Sequence, residues 1–249
     1  MRLGSGVLVA VLACALVAAV GCSSEERANA SQAADAKDEA AETLQKGEGV
    51  ADETKPPKGD EVTATLTYFE SEEKGTIGAK KTREVPYLSE GSKVATLETT
   101  KGVIRIELWE EKAPNTVVNF VSLANSGRYD GVTFHRVIEG FMAQTGDVEH
   151  KDGRGGPGYT IPAEFDASLK HERGVVSMAR AQDPNSAGSQ FFIMFQSANH
   201  LDGKYAAFGK VIEGMDVVDS LQKGDGPNGA VSNPDKIEKL RVEVILADM

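Results

Sequence analysis

Cysteine is nearly absent from the chain. The 249 residues contain two cysteines, Cys14 and Cys22, and both lie in an apolar leader at the N-terminus. The body of the protein therefore has no disulfide and no thiol nucleophile. This excludes a disulfide-stabilised scaffold and every enzyme class that depends on a catalytic cysteine.

Histidine and net positive charge are also scarce, and each shortage excludes a class of function. The four histidines are scattered without the spacing of metal ligands, so we expect no metal site and no cofactor. The formal net charge of −11 at pH 7 has the wrong sign for a nucleic-acid-binding protein. The 40% apolar content is ordinary for a globular chain and leaves room for one sizeable domain with extensions.

The apolar run of the leader, Val7–Val20, is too short to span a membrane well. It follows Arg2 and leads through small residues to Cys22, a pattern typical of a signal peptide. Residues 19–22, Ala-Val-Gly-Cys, resemble a bacterial lipobox, whose cysteine is diacylated and becomes the mature first residue. We predict a lipoprotein signal peptide over residues 1–22 and a membrane-anchored, extracytoplasmic protein on the periplasmic side of the envelope. The alternative is an ordinary secretory signal with a chance cysteine.

Two further segments precede the domain. Residues 23–60 are acidic and rich in alanine and contain no aromatic residue, so they cannot bury enough apolar area to offset the entropy of ordering. They are predicted to form a disordered tether. Residues 61–92 form an N-terminal extension that could be a β-hairpin, because Val62–Phe69 alternates like a strand and a weaker strand is predicted near Thr82–Leu88.

Residues 93–249 have the pattern of a β-rich domain with two helices, which we expect to fold alone. Val94–Glu98 and Val103–Leu108 are predicted to pair antiparallel. A first helix should begin at Pro114 and end before Gly127, and a second should cover residues 214–223. Their inward residues are Val117, Phe120, Val121 and Ala124 in the first helix and Met215, Val218 and Leu221 in the second. A last strand is expected over residues 240–246. Two helices among many short strands fit a barrel capped by helices.

The central stretch, residues 134–147, predicts two strands joined by a tight turn. By the two-residue period of a strand, Phe141 and Ala143 share one face. Met142 and Gln144 then share the other face. The stretch offers a fixed cation, large apolar groups and an amide, but no acid, base or nucleophile in a recognisable arrangement. Periodicity alone favours a plain barrel hairpin with a packed core.

Four ordered blocks change that interpretation, because together they resemble the cyclophilin family of peptidyl-prolyl cis-trans isomerases. The blocks are Phe134-His135-Arg136 with residues 140–147, residues 177–181 (Ser-Met-Ala-Arg-Ala), residues 185–193, and residues 201–204 through 208–211. The resemblance covers the chain from about Lys93 to its end. It implies a mainly β fold, a closed eight-stranded antiparallel β-barrel with a helix over each end.

The implied reaction is rotation about an X-Pro peptide bond. Amide resonance sets a barrier of about 18–20 kcal/mol, so a catalyst must weaken that resonance and favour the twisted form. An arginine that donates to the prolyl nitrogen localises its lone pair, and a dry pocket strengthens the hydrogen bond. Arginine is a fixed cation in proteins, so the rate should depend little on pH.

The resemblance also implies which residues form the site. The catalytic set is Arg136, Phe141, Met142, Gln144 and Phe192, and the substrate-binding set is Ala179, Arg180, Gln190, His200, Leu201 and Tyr205. Arg136 would donate to the prolyl nitrogen. Four apolar residues would surround the proline ring: Phe141, Met142, Phe192 and Leu201. Ala179 and Arg180 would line the groove for the residues before the proline. His200 stands where tryptophan is usual in eukaryotic members, which predicts weak cyclosporin binding, and Tyr205 stands where histidine is usual.

Three hypotheses about function remain. The first is a peptidyl-prolyl isomerase that acts on proline-containing polypeptides among exported or envelope proteins, works as a monomer and is anchored at Cys22. The second is a proline-peptide binding module or holdase chaperone, and the third is an envelope scaffold. The intact set around Arg136 favours the enzyme, because binding alone does not require a cation facing the prolyl nitrogen. His135 and His200 are expected to be structural or rim residues, since rotation needs no proton transfer.

Overall fold

The computed structural model describes residues 62–70 and 77–245, and these segments are mainly β-structure. Cys22, the predicted signal peptide over residues 1–22 and the predicted tether over residues 23–60 lie outside the described residues. Within the described ranges, no helix is both long enough and apolar enough to cross a membrane.

Eleven strands and two α-helices are present in the described segments. The strands are β1 (Thr63–Glu70), β2 (Lys80–Pro86), β3 (Ser92–Thr99), β4 (Gly102–Leu108), β5 (Arg136–Ile138), β6 (Met142–Thr145), β7 (Tyr159–Thr160), β8 (Val175–Met178), β9 (Phe191–Met194), β10 (Ala207–Glu213) and β11 (Ile237–Ile245). The helices are α1 (Pro114–Asn125) and α2 (Met215–Ser220), and two 3₁₀ turns cover Pro184–Ser186 and Asn199–Leu201.

Eight of the strands form one antiparallel sheet in the order β11-β3-β4-β10-β8-β9-β6-β5. The predicted eight-stranded antiparallel architecture with two helices is confirmed, and so is the β3–β4 pairing. The regular ladder is open, however, rather than closed as expected. At the opening, Thr133 before β5 forms an isolated bridge with Lys236 before β11, and Arg136 of β5 forms another with Ala230. Backbone hydrogen bonds from Phe134 to Asp235 and from Ile237 to Val132 also join these segments. β5 is too short for a continuous ladder, because regular pairing starts only at Arg136.

Helix α1 follows the prediction closely. Pro114 lies in its first turn, and its four predicted inward residues are completely buried. Ser126 is the C-cap and Gly127 follows with φ +74°, the left-handed conformation that commonly ends a helix. Helix α2 is shorter than predicted because Leu221 adopts an extended conformation and is itself buried.

The main core lies on the inner face of the sheet, beneath α1. Four aromatic residues, Phe120, Tyr129, Phe191 and Phe208, form its centre, with ring centroids 5.1–6.4 Å apart in tilted and edge-to-face arrangements. Such arrangements place the positive edge of one ring against the negative face of the next. The inner face is therefore filled by close packing, and a ligand site must lie elsewhere.

Strands β1 and β2 occupy the two segments of the extension for which strands are predicted. They pair antiparallel and, together with β7, form a second sheet in the order β2-β1-β7. Leu66 and Val85 are buried in the main core, and the Asn115 side chain of α1 exchanges two hydrogen bonds with the backbone of Thr67 at 2.7 and 3.0 Å. This hairpin (strands β1 and β2) is therefore packed into the domain, while the domain boundary at residue 93 stays a prediction.

Candidate active site

Strand register places Arg136, Gln144 and Phe192 side by side. Arg136 of β5 pairs with Gln144 of β6, which pairs with Phe192 of β9. Residues that lie directly opposite each other across a ladder project from the same face. The residues next to them, Val137 and Ala143, belong to the main core. The cation, the amide and the aromatic ring therefore share the outer face of the sheet.

A chain of hydrogen bonds fixes the polar part of this row. Arg136 Nη1 donates to Gln144 Oε1 at 3.1 Å, and Arg136 Nε donates to the carbonyl oxygen of Asn228 at 2.9 Å. Gln144 Nε2 donates to Gln190 Oε1 at 2.9 Å. Gln190 Nε2 in turn donates to the carbonyl oxygens of Gly153 and Gly155 at 2.9 and 2.8 Å. The guanidinium is thus oriented from two sides, and its Nη2 donates to none of the described residues.

An apolar group of residues lies beside the polar row on the same outer face, and we call it the pocket cluster. Its buried members are Met142, Val175, Phe192, Met194, Ala198, Leu201 and Ala207, with Phe141, Ala179 and Tyr205 partly buried against them. The cluster is separate from the main core. The structure therefore brings all four apolar residues predicted to surround a proline ring, Phe141, Met142, Phe192 and Leu201, into one cluster next to Arg136.

The predicted alternation in this hairpin is wrong for Phe141. Met142 and Gln144 share the outer face and Ala143 faces the core, as expected. Phe141, however, packs on the outer side with Met142 instead of sharing the face of Ala143. Phe141 lies in the turn and β6 begins only at Met142, so the two-residue period does not reach it. Gly140 makes this turn possible with φ +68°.

The predicted rim residues surround the cluster. His200 is exposed and its ring stacks on Phe141, with centroids 5.8 Å apart. Tyr205 meets Phe192 edge to face at 5.8 Å. Arg180 lies over the Tyr205 ring at 4.6 Å and donates through Nε to the carbonyl oxygen of Lys204 at 3.0 Å. The Ala179 N–H donates to the Gln190 carbonyl oxygen at 2.9 Å. Arg180 is therefore held by the protein's own groups.

A buried histidine that the sequence analysis did not identify supports the Phe192 ring. His171 is 1% exposed and stacks on Phe192 with centroids 6.4 Å apart. Its Nε2 lies 2.8 Å from Ser177 Oγ and its Nδ1 3.2 Å from Asp202 Oδ1. The carboxylate accepts from Nδ1–H, so Nε2 accepts from the serine hydroxyl. Burial lowers the pKa of His171, the nearby Asp202 opposes that shift, and the ring is neutral at pH 7.

Asp147 organises the glycine-rich loop beside Gln190. Its carboxylate accepts backbone N–H hydrogen bonds from residues 149, 150, 152, 153 and 155 at 2.9–3.2 Å. Although burial acts in the opposite direction, these donors, led by Gly155, lower the pKa of Asp147 to about 2. The loop's N–H groups are thus occupied by a carboxylate of the protein, which argues against a phosphate-binding loop. The fixed loop supplies the two carbonyl oxygens that hold Gln190.

His135 lies under this loop. Neither ring nitrogen has a hydrogen-bond partner among the described residues, and burial lowers the pKa of the side chain. A Cβ added to Gly153 would come within 2.6 Å of the His135 ring, so only glycine fits against it without a shift. His135 therefore contacts the loop rather than the pocket cluster.

A groove of about 990 Å³ lies next to the polar row. Gln144, Ala179, Arg180 and Gln190 line it, together with the glycine-rich loop. Phe141, Met142, Phe192, Leu201 and Arg136 do not line it. The site thus has two parts, the pocket cluster beside Arg136 and the groove, and Gln144 and Gln190 lie where they meet. Among residues 62–70 and 77–245, no group of three or more His, Cys, Asp and Glu side chains could hold a metal ion.

Comparison with known proteins gives consistent results. A family model described as cyclophilin type peptidyl-prolyl cis-trans isomerase/CLD matches residues 94–242. A probable peptidyl-prolyl cis-trans isomerase of Brucella suis is 44% identical over 180 residues, which cover 68% of this chain and 90% of that protein. A crystal structure of a cyclophilin-type isomerase from Cryptosporidium parvum matches with a TM-score of 0.57 at 30% identity, over 62% of this chain and 99% of that one. A second structure of the same protein, determined in the presence of the dipeptide Ala-Pro, matches with a TM-score of 0.55 at 32% identity, over the same shares of the two chains.

Proposed function

The chain belongs to the cyclophilin-type peptidyl-prolyl cis-trans isomerases and is an isomerase, and on that premise we propose that Arg136 catalyses the rotation by donating a hydrogen bond to the prolyl nitrogen. The proline ring lies in the pocket cluster, against Phe192 and Met142. The Ala-Pro dipeptide present with the Cryptosporidium parvum protein supports a proline-containing substrate for this chain as well.

The observation that carries the proposal is the orientation of the Arg136 guanidinium. Hydrogen bonds to Asn228 and Gln144 hold it in place, while Nη2 remains free of described partners. A donor that is already oriented before substrate binds does not reorganise as the prolyl nitrogen becomes pyramidal and loses its resonance. The hydrogen bond therefore strengthens in the twisted transition state more than in either planar ground state, which lowers the barrier.

The pocket cluster and the groove act mainly on binding. Phe192, Met142 and Leu201 exclude water from the proline ring, and the lower local dielectric strengthens the hydrogen bond from Arg136. Gln144 is held by Gln190 and presents its amide beside the substrate backbone. No step transfers a proton or forms a covalent bond, so the site needs only a donor, an apolar surface and a fixed backbone contact.

The test is isomerase kinetics on short X-Pro peptides with wild type, Arg136→Ala and Arg136→Lys. We expect Arg136→Ala to lower kcat/KM by about 30- to 1000-fold, because a charge-assisted donor in a desolvated site is worth roughly 2–4 kcal/mol. Arg136→Lys should recover little, because a single ammonium cannot contact Asn228, Gln144 and the substrate together. Wild-type activity in Arg136→Ala would show that Arg136 is not the catalytic donor.

We further propose that the isomerase acts on exported or envelope proteins from a lipid anchor at Cys22. The support is the leader sequence, a short apolar run that ends in Ala-Val-Gly-Cys and precedes a polar tether. Cys22→Ser should leave the membrane fraction or accumulate as an uncleaved precursor. Mass spectrometry of the mature N-terminus is the direct measurement, and an unmodified terminus at another residue would contradict the anchor.

A further inference from the structure

The hairpin of β1 and β2 reaches the substrate groove. At its end, β1 pairs with the short strand β7, Phe69 with Thr160 and Glu70 with Tyr159. Both β7 residues line the groove, and so does Ile77, which precedes β2 of the hairpin. The extension is thus part of the groove wall.

Contacts behind β7 fix the position of this wall. The Tyr159 ring packs edge to face on Tyr68 at 5.4 Å and lies 4.8 Å from the Arg83 guanidinium. Its hydroxyl donates to Asn119 Oδ1 at 2.6 Å, and Asn119 Nδ2 donates to the carbonyl oxygen of Gly188 at 2.7 Å. Because Gly188 also lines the groove, these contacts tie the hairpin to two sides of it.

Ile77 is the only branched aliphatic side chain among the described residues that line the groove. Much of the remaining lining is glycine, and a Cβ added to Gly156 or Gly158 would meet nothing within 4 Å. The wall therefore leaves open space for a substrate side chain, and Ile77 supplies an apolar surface for it. An apolar side chain gains free energy in proportion to the area it buries there.

Charged side chains of this groove are less suited than Ile77 to select a substrate side chain. Arg154 pairs with Asp152 at 2.6 Å, and Arg180 lies over Tyr205 and donates to three backbone carbonyl oxygens. Both cations are engaged by the protein's own groups. An acidic substrate side chain would have to compete with these contacts, whereas Ile77 is partly exposed.

We propose that the hairpin is a specificity element, which through Ile77 selects polypeptides with a large apolar side chain upstream of the residue that precedes the proline. The proposal rests on the proposed function, because it places the proline in the pocket cluster and the preceding residues in the groove. Successive side chains of an extended chain point to opposite sides, so the side chains two and three positions before the proline are both varied.

The test uses X-Pro peptides with Gly, Ala, Leu or Phe at the second and third positions before the proline. Wild type should prefer Leu and Phe to Gly at one of these positions. Ile77→Ala should lower kcat/KM for the Leu and Phe peptides about three- to tenfold and leave the Gly peptide unchanged. Val62→Ala is the matched control, because Val62 is an exposed aliphatic residue beside the other end of β1 and does not line the groove.

The outcomes separate the two proposals. An equal loss for all peptides, or no loss in Ile77→Ala, overturns the role of the hairpin while isomerase activity still stands. If Arg136→Ala keeps wild-type activity but Ile77→Ala still shifts the peptide preference, the catalytic proposal fails and the groove assignment survives. Thermal melting of Ile77→Ala and Val62→Ala shows whether either variant has lost its fold.

Discussion

Two adjacent phenylalanines, Phe191 and Phe192, belong to different regions of the molecule. Phe191 packs among Phe120, Tyr129 and Phe208 in the main core on the inner face of the sheet. Phe192 lies in the pocket cluster on the outer face, beside Gln144 and His171. Both rings are buried, so burial alone does not distinguish a structural residue from a site residue. The neighbours differ: aromatic rings surround Phe191 on the inner face, whereas a cation, an amide and an imidazole lie near Phe192 on the outer face.

One short strand thus contributes side chains both to the main core and to the proposed site. The alternation of β9 sends successive side chains to opposite faces. The inner face can be optimised for packing, while the outer face keeps polar groups at fixed positions next to apolar ones. Mutations on the two faces should therefore separate stability from activity.

Removal of residues 1–92 should have the largest effect on stability. Leu66 and Val85 of the hairpin are buried in the main core, and neither belongs to the pocket cluster. Burial of two such side chains contributes roughly 3–6 kcal/mol. Residues 93–249 are still expected to fold alone, but with a much lower free energy of unfolding. Urea unfolding of residues 93–249 and of residues 61–249 is the measurement. Equal stabilities would show that the hairpin does not contribute to the core.

Phe191→Ala should reduce the free energy of unfolding by about 3–5 kcal/mol, the usual cost of a cavity left by a large core residue. The molecules that remain folded should keep most of their kcat/KM, because Phe191 belongs to the main core and not to the pocket cluster. Urea titration and activity per folded molecule test both statements. A selective loss of activity without loss of stability would erase the distinction between the two faces.

Phe192→Ala should reverse this pattern. Loss of the ring's apolar surface costs about 1.5–3 kcal/mol of substrate binding, which is roughly a 10- to 100-fold fall in kcat/KM with weaker peptide binding. The stability loss should be smaller than in Phe191→Ala, because one side of the ring belongs to the site. Peptide titration by NMR, together with urea unfolding, compares the two variants directly.

The smallest effect concerns pH. Burial lowers the pKa of both His135 and His171 below the ordinary value of about 6.5. The unfolded chain then binds protons first as pH falls, so stability is fully present above pH 6.5 and declines from there towards the lower folded-state pKa values. Urea unfolding at pH 7 and pH 5 should show this decline. Unchanged stability across that range would mean that neither ring is held neutral by the fold.

Local sequence predicted the parts of the site that depend on strand pairing within one hairpin. Arg136 and Gln144 face each other because a tight turn joins their strands, and the resemblance supplied their proposed roles. The contacts from distant segments were not predictable. The Asn228 carbonyl lies 92 residues from Arg136, and Asp202 lies 31 residues from His171, with no local pattern to connect either pair. The Asp147 loop is easier to predict from sequence, because aspartate side chains often accept hydrogen bonds from the backbone N–H groups that follow them closely in the chain.

In the proposed mechanism, Arg136 lowers the barrier to rotation and does not merely hold the peptide. The most direct measurement is the rate of cis–trans interconversion on the enzyme, by NMR exchange at saturating X-Pro peptide, for wild type, Arg136→Ala and Arg105→Ala. Arg105 is a control arginine that pairs with Glu213 and Glu243 outside the site. We expect an on-enzyme rate about 30- to 1000-fold lower in Arg136→Ala, with peptide affinity largely kept and Arg105→Ala unchanged. An unchanged on-enzyme rate in Arg136→Ala, or a loss of binding as complete as the loss of activity, would contradict it.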